Sequence, residues 1–105
     1  MIVEMRTYTL FVGKTGEYLR HYQAEGLEVQ KRILGNLVGY YTTEIGEDLN
    51  QIIHLWGYAD LNDRAARRAA LFKDPTWLAY IPKIVPLLAK QESRILTPTS
   101  FSPGA

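Results

Sequence analysis

Side-chain character alternates with a period of two in four short segments of the chain, and this alternation constrains the fold more than any other feature. The segments are rich in β-branched and aromatic residues, a combination that is typical of β-strands. The predicted strands cover residues 2–9, 37–45, 51–59 and 90–96.

Helical periodicity fills the two long gaps between these strands. Apolar side chains three and four apart along residues 14–34 predict a helix with one buried stripe. Residues 61–72 also follow a helical pattern, with Asp60 as the predicted N-cap. A further helix is predicted to begin at Pro75, where a missing N–H does no harm, with Asp74 as its cap.

The predicted order of elements is strand, helix, strand, strand, helix, strand. Two β-α-β units joined by a central hairpin give an antiparallel sheet in the order 4-1-3-2, with the helices on one face. This is the ferredoxin-like βαββαβ sandwich of the α+β class. A chain of 105 residues has room for one such domain, and we expect residues 97–105 to form an extended tail.

Composition excludes several classes of function. The formal net charge of +1 argues against a nucleic-acid or membrane partner bound through bulk charge. The chain has no cysteine, so it has no disulfide framework and no thiolate metal site, and we expect it to be cytoplasmic. The opening "MIVEMRTYTL" does not have the form of a signal peptide. No apolar run approaches the ~20 residues that a membrane span needs.

The two central strands present two different sides. We expect the helices to cover the more apolar side, which carries Val3, Met5, Ile53 and Leu55. The opposite side is too aromatic for an exposed surface and too polar for a dry core. We therefore expect a second copy to close it, in an isologous homodimer that encloses a polar pocket. That side carries Glu4, Arg6, Tyr8, His54, Trp56 and Tyr58.

The second strand joins one of these sides according to its register. If Ile45 pairs near Gln51, then Tyr40 and Thr42 join the pocket side and Tyr41 turns to the helices. A slip of one residue reverses that assignment.

Three residues of the pocket side are candidate catalytic groups. His54 has the chemistry of a general base or proton shuttle, and the alternative is a histidine that only forms a hydrogen bond across the sheet or the dimer. Arg6 would hold a carboxylate or a developing enolate, oriented by Glu4. The alternative for these two is a partly buried ion pair.

Four aromatic residues are candidate ligand-binding walls: Tyr8, Trp56, Tyr58 and Tyr40. They suit a flat or apolar ligand, and the alternative is aromatic packing at a dimer seam. The segment "GKTGEY" lacks the spacing of a phosphate-binding P-loop. No cofactor is predicted, because two histidines without matching carboxylates do not indicate a metal site and nothing specifies haem at His54.

Three arginines follow one another on the second predicted helix: Arg64, Arg67 and Arg68. They could form an anion-binding patch. A solvated helix face that pairs with Asp60 and Asp63 is the favoured interpretation.

Three segments resemble the NIPSNAP family. "EMRTYTLFVGKTGEYL" resembles its opening Glu-x-Arg-x-Tyr strand, glycine turn and helix start, and "LGNLVGYYTTEIGEDLNQIIHLWGYADLNDR" resembles its central segment. "ESRILTPTSFSP" resembles its closing strand and tail. The chain departs from the pattern at "FVGK", where relatives commonly have a proline before the glycine. By position, the family pattern falls on Glu4, Arg6, Tyr8, Gly13, Gly39, Glu44, Gly46, His54, Trp56, Tyr58 and Arg64.

The resemblance implies a bacterial relative that folds as a dimeric α+β barrel, in which two ferredoxin-like sheets face each other. The wider barrel superfamily includes cofactor-independent monooxygenases and isomerases, and likeness of fold alone is a weak argument for activity. We expect the protein to bind a small apolar or aromatic ligand. If it is an enzyme, we expect a cofactor-independent monooxygenase or isomerase. The alternative is a non-catalytic interaction module whose filled interior serves only dimerisation.

Overall fold

The computed structural model describes residues 1–104. Two irregular turns link regular elements: a π-helical turn at Tyr22–Gly26 and a 3-10 turn at Val85–Leu87. No helix in this range is both long and apolar enough to cross a membrane. The regular elements are β1 (Ile2–Leu10), α1 (Thr15–His21), α2 (Leu27–Leu34), β2 (Asn36–Thr42), β3 (Gln51–Tyr58), α3 (Leu61–Leu71), α4 (Pro75–Ile84) and β4 (Leu88–Leu96).

The strands form one antiparallel sheet in the order β2-β3-β1-β4. This order is the predicted 4-1-3-2 read from the other edge, so the ferredoxin-like α+β fold is confirmed. Both predicted caps are present. The Asp60 carboxylate accepts a hydrogen bond from the backbone N–H of Asp63 at 2.8 Å, and Asp74 accepts from Thr76 and Trp77. These bonds satisfy N–H groups that the first helical turn leaves unpaired.

The long helix predicted over residues 14–34 is interrupted by the π-helical turn. The backbone N–H of Leu27 donates to the carbonyl of Tyr22, five residues back. A Cβ atom on Gly26 would come within 2.9 Å of the rings of Tyr22 and Tyr80. Glycine therefore lets α4 pack its Tyr80 ring directly against the helix backbone.

The assignment of the two sheet faces is the principal correction to the prediction. The side predicted to be open is the side that the helices cover. His54 is 1% exposed and Trp56 0% in the single chain. The Tyr8 ring lies 6.2 Å from the ring of Tyr18 on α1, and Arg64 of α3 reaches Glu4. The aromatic rings on this side fill the space under the helices, and a cation from α3 satisfies the buried carboxylate.

The side predicted to be covered is therefore the open one. Met5, Ile53 and Leu55 are half-buried there. Val3 is buried, because it lines a groove with Leu55 and with the tail that follows β4.

The same reversal applies to β2. Tyr40 lies opposite His54, as the pocket assignment required, but that side faces the helices. Tyr41 lies opposite Ile53 and is 56% exposed, so of the two registers left open the structure has the one that sets Tyr40 beside His54, and Tyr41 lies on the open face. The strand ends at Thr42 rather than at residue 45, and the backbone N–H of Thr43 donates to the carbonyl of Gln51.

The tail after β4 is not the extended segment that was predicted. Turns interrupt it at residues 100–101 and 103–104. The first is closed by a hydrogen bond from the backbone N–H of Ser102 to the carbonyl of Thr99 at 3.1 Å. The last residue of the predicted tail, at position 105, lies outside the described residues.

Candidate functional site

A buried carboxylate on β1 organises the polar part of the sheet–helix interface. Glu4 is 0% exposed. Arg64 donates to both of its oxygens, Nε to Oε1 at 3.1 Å and Nη2 to Oε2 at 2.8 Å. Arg6 Nη1 donates to Oε2 at 3.0 Å, and the Ser93 hydroxyl donates to the same atom at 2.6 Å. Glu4 therefore joins β1, β4 and α3.

These partners stabilise the ionised form of Glu4. Burial opposes the charge, but the hydrogen bonds from Arg64 and Ser93 and the positive charge of Arg6 outweigh it and lower the pKa of Glu4 to about 2. The carboxylate is therefore charged at neutral pH and committed to structure. The predicted ion pair between Glu4 and Arg6 is present.

His54 is a buried neutral imidazole. The Trp56 indole Nε1–H donates to His54 Nδ1 at 2.6 Å, which leaves the proton on Nε2. Nε2 is buried and has no partner within residues 1–104. The ring stacks on Tyr40, with ring centroids 4.8 Å apart, and meets Tyr8 edge-on at the same distance. Burial first, and then the charge of Arg6, lower the pKa of His54 to about 3.

Tyrosines surround this imidazole on the helix side. The hydroxyls of Tyr18 and Tyr40 are 3.1 Å apart, and the Tyr22 hydroxyl donates to Gln30 Oε1 at 2.6 Å. Burial raises the pKa of Tyr18, Tyr22 and Tyr40, so these groups stay protonated at neutral pH. These tyrosines therefore contribute neutral, hydrogen-bonded side chains and no charge.

A cavity of about 250 Å³ lies between β1 and β4 of the sheet and helices α3 and α4. We call it the sheet–helix cavity. Its polar lining comes from Arg6, Tyr8, Tyr18, Gln30, Arg68 and Gln91. Its apolar lining includes Leu71, Phe72, Trp77, Ile81, Ile84 and Leu88. A mostly apolar chamber with a few convergent polar groups is the usual form of a small-molecule site.

The predicted site residues divide into two groups. Arg6 and Tyr8 line the sheet–helix cavity, and they are linked by a hydrogen bond from Arg6 Nε to the Tyr8 hydroxyl at 3.1 Å. The remaining five do not line the cavity, so the geometry gives the proton-transfer role predicted for His54 no support. These five are Glu4, His54, Trp56, Tyr58 and Tyr40.

Arg68 is a functional candidate that the favoured interpretation of the three arginines, a solvated helix face, set aside and that the alternative, an anion-binding patch, included. It is half-buried at the cavity wall, and its guanidinium lies 5.6 Å from the centre of the Phe72 ring. Among residues 1–104 it forms no ion pair with a carboxylate. Burial and the charge of Arg6 lower the pKa of Arg68. By contrast, Arg67 pairs with Asp63 at 2.8 Å, as predicted.

A signal for Arg68 was present in the sequence. Arg64, Arg68 and Leu71 are spaced by four and three, so they share one face of α3. Leu71 is fully buried, which identifies that face as the one turned to the sheet.

Trp77 also reaches the cavity. It is 6% exposed, and its indole Nε1–H is buried without an acceptor in the described part of the chain. No three His, Asp or Glu side chains within residues 1–104 come close enough together to hold a metal ion.

Comparison with known proteins gives one consistent family. The family model described as NIPSNAP matches residues 3–103. Protein NipSnap homolog 1 of Danio rerio is 35% identical over 102 residues, which cover 97% of this chain and 36% of that protein. This chain therefore spans about a third of the length of the curated relatives it matches first.

Solved structures agree. A crystal structure of a NIPSNAP family protein from Agrobacterium tumefaciens is 52% identical, has a TM-score of 0.94, and covers 97% of this chain and 96% of that one. A second crystal structure from that organism is 48% identical, has a TM-score of 0.96 and covers 98% of both chains. A crystal structure of an antibiotic biosynthesis monooxygenase is 10% identical, has a TM-score of 0.64 and covers 94% of this chain and 99% of that one. This last likeness shows the fold alone.

Proposed function

Because the chain belongs to the NIPSNAP family and holds a cavity between its sheet and its helices, we propose that it binds a small, largely apolar or aromatic molecule there. The observation that carries this proposal is the cavity itself, about 250 Å³ within a single chain. The rival interpretation, a filled interior that serves only dimerisation, requires the aromatic residues to leave no such space.

The size of the cavity limits its occupant. Pockets for drug-sized molecules span roughly 300–1,000 Å³, and this cavity lies just below that range. The occupant is therefore on the order of one ring with a short side arm. Leu71, Trp77 and Ile84 would contact its apolar body, and Arg6 and Tyr8 would orient its polar end.

The catalytic version of the proposal is cofactor-independent oxygenation or isomerisation. Arg6 favours it, because a guanidinium on an apolar chamber stabilises an enolate as its charge develops. Glu4 fixes Arg6 in place through the ion pair at 3.0 Å. His54 does not line the cavity, and with a pKa of about 3 it is a weak base at neutral pH.

Ligand binding is tested by filling the cavity. The half-buried Ile81 of α4 lines it, so Ile81→Trp places an indole in the space that a ligand would occupy. The matched control is Leu78→Trp, on the same helix but 48% exposed and away from the cavity. The readout is ligand-detected NMR with single-ring aromatic compounds, together with native and denaturing mass spectrometry of the protein as purified.

We expect one or more aromatic probes to bind the wild-type protein and the Leu78→Trp variant, and Ile81→Trp to abolish their binding. A non-covalent adduct that is present in native spectra and lost on denaturation would supply the mass of a natural ligand. Binding that survives Ile81→Trp, or no binding by any probe at millimolar concentration, would contradict the proposal.

We also propose that two copies pair through their open sheet faces, as a dimeric α+β barrel. Ile53 and Leu55 supply an apolar centre on that face. Glu92 and Arg94 of β4 lie on the same face and are exposed, so a twofold-related copy can exchange ion pairs through them. Size-exclusion chromatography with light scattering tests this, with Leu55→Arg expected to give a monomer. A wild-type monomer would contradict it.

The cytoplasmic location and bacterial origin remain predictions.

A further inference from the structure

We propose that the sheet–helix cavity selects ligands whose apolar body ends in a carboxylate, and that Arg68 binds this carboxylate with Arg6 as the second cation. The inference rests on the proposed function, since it names the class of molecule that the cavity would bind. It assigns a ligand-binding role to Arg68.

The first argument is the charge balance at the cavity. Arg6 and Arg64 pair with the carboxylate of Glu4, and Arg68 lines the same cavity as Arg6. Arg64 and Arg6 share that carboxylate, and Arg68 forms no ion pair within residues 1–104. Two positive charges are therefore left over at a partly buried site. An unpaired cation beside another cation costs free energy that a bound anion removes.

The second argument is that several side chains of the lining carry hydrogen-bond donors, although Gln30 and Gln91 also contribute amide oxygens. Arg6 and Arg68 can only donate. Within residues 1–104, the buried Trp77 Nε1–H has no acceptor. The Tyr8 hydroxyl accepts from Arg6 Nε, which leaves its own O–H free to donate. A ligand that satisfies these groups must bring acceptor atoms.

The third argument concerns the kind of anion. A guanidinium presents N–H groups in a planar fork that matches the two oxygens of a carboxylate. The Arg68 guanidinium lies beside the apolar ring of Phe72, and Leu71 and Ile84 also line the cavity. An apolar wall penalises a strongly hydrated dianion more than a monoanion. A carboxylate on a small hydrocarbon body therefore fits better than a phosphate ester.

The test uses three probes of the same shape and different charge: 3-phenylpropanoate, the neutral 3-phenylpropanamide and phenethyl phosphate. Their dissociation constants are measured by isothermal titration calorimetry or NMR at one ionic strength. In the wild-type protein we expect the carboxylate to bind at least about tenfold more tightly than the amide. A charge-assisted hydrogen bond contributes more free energy than a neutral one, and the difference corresponds to about a factor of ten in the dissociation constant.

Arg68→Met removes the charge and keeps much of the side-chain volume. We expect this variant to lose most of the preference for the carboxylate over the amide, because only Arg6, which Glu4 also binds, remains to pair with the anion. Arg68→Lys keeps the positive charge but lacks the planar guanidinium group, so it should retain part of the preference for the carboxylate over the amide. The control Arg20→Met, at an exposed position of α1, should keep the full preference.

Thermal unfolding distinguishes this role from a structural one. Because Arg68 has no ion-pair partner in the described part of the chain and lies near the charge of Arg6, its removal should leave the melting temperature of the ligand-free protein unchanged or raise it. An arginine that served the fold would lower the melting temperature when it is removed.

The outcomes separate this inference from the proposed function. Equal binding of acid and amide by the wild-type protein, or an acid preference that Arg68→Met leaves undiminished, overturns the inference and leaves the cavity as a ligand site. Tighter binding of the phosphate ester than of the acid also overturns it. Failure of all three probes to bind counts against the proposed function as well.

Discussion

The buried imidazole of His54 makes the stability of the fold dependent on pH in a window where few other groups titrate. The folded state holds the pKa of His54 at about 3, against an ordinary value of 6.5. As the pH falls below 6.5, the unfolded chain takes up a proton at this residue and the folded chain does not. The unfolded state then binds more protons, so the free energy of unfolding decreases as the pH falls.

The size of the effect follows from the two pKa values. At about 1.36 kcal/mol per pKa unit, the whole window from 6.5 to about 3 corresponds to about 5 kcal/mol. Between about pH 7 and pH 5 the expected loss is about 2 kcal/mol, because the unfolded histidine protonates in that range. Ordinary carboxylates titrate near pH 4, and the chain has only two histidines, so this range reports mainly on imidazole.

The assay is urea unfolding followed by tryptophan fluorescence at about pH 7, 6 and 5, at one protein concentration and ionic strength. We expect the wild-type protein to lose about 2 kcal/mol across this range and the His54→Gln variant to lose almost none. His21→Gln, which removes the half-exposed histidine of α1, should keep the wild-type slope.

A second measurement covers the case in which His54→Gln does not fold. In the wild-type protein, the His54 Cε1–H resonance should not titrate between about pH 7 and pH 5, because its folded pKa lies below that range. A titration midpoint near the ordinary value, or a wild-type stability that does not change over this range, would refute the reasoning.

Two further predictions concern the packing around the site. Glu4→Gln should lower the free energy of unfolding by about 3 kcal/mol, because it leaves Arg6 and Arg64 without their carboxylate. Urea unfolding measures this cost. A cost below about 1 kcal/mol would show that the ion pairs of Glu4 contribute no more than surface ion pairs do. Gly26→Ala should also destabilise, since its Cβ would come within 2.9 Å of two tyrosine rings, and the expected overpacking cost of about 1–3 kcal/mol exceeds the gain of up to about 1 kcal/mol in helix propensity. A higher melting temperature for Gly26→Ala would contradict this.

Local patterns predicted the elements and their order well, because alternation, helical periodicity and capping residues depend on near neighbours. Asp60 and Asp74 cap their helices as expected. The end of β2 was placed too late, because Ile45 continues the apolar pattern. It is 92% exposed in the loop that follows the strand. An apolar residue at the end of a strand does not by itself reveal where pairing stops.

The facing of the sheet could not be read from alternation. Both sides of the central strands carry large apolar side chains, so a period of two separates the faces without saying which one the helices cover. The information lay in long-range charge pairing. A buried Glu4 needs a cation, and Arg64 on the inward face of α3 provides it across 60 positions of sequence. The arginine spacing on α3 was therefore stronger evidence about the sheet than the strands themselves.

The exchange of the two sheet faces makes dimerisation and pocket formation independent of each other, whereas the sequence analysis made both depend on a second copy. When the polar side was assigned to the open face, a second copy was needed both to bury it and to form the pocket. In the structure the helices of the same chain bury it, and residues of the sheet and of these helices line the sheet–helix cavity. The dimer contact proposed at Leu55 and the ligand site proposed beside Arg68 then lie on opposite faces of the sheet. A monomeric Leu55→Arg variant should therefore keep the affinity and carboxylate preference of the dimer, and loss of both would mean that the second copy helps to form the site.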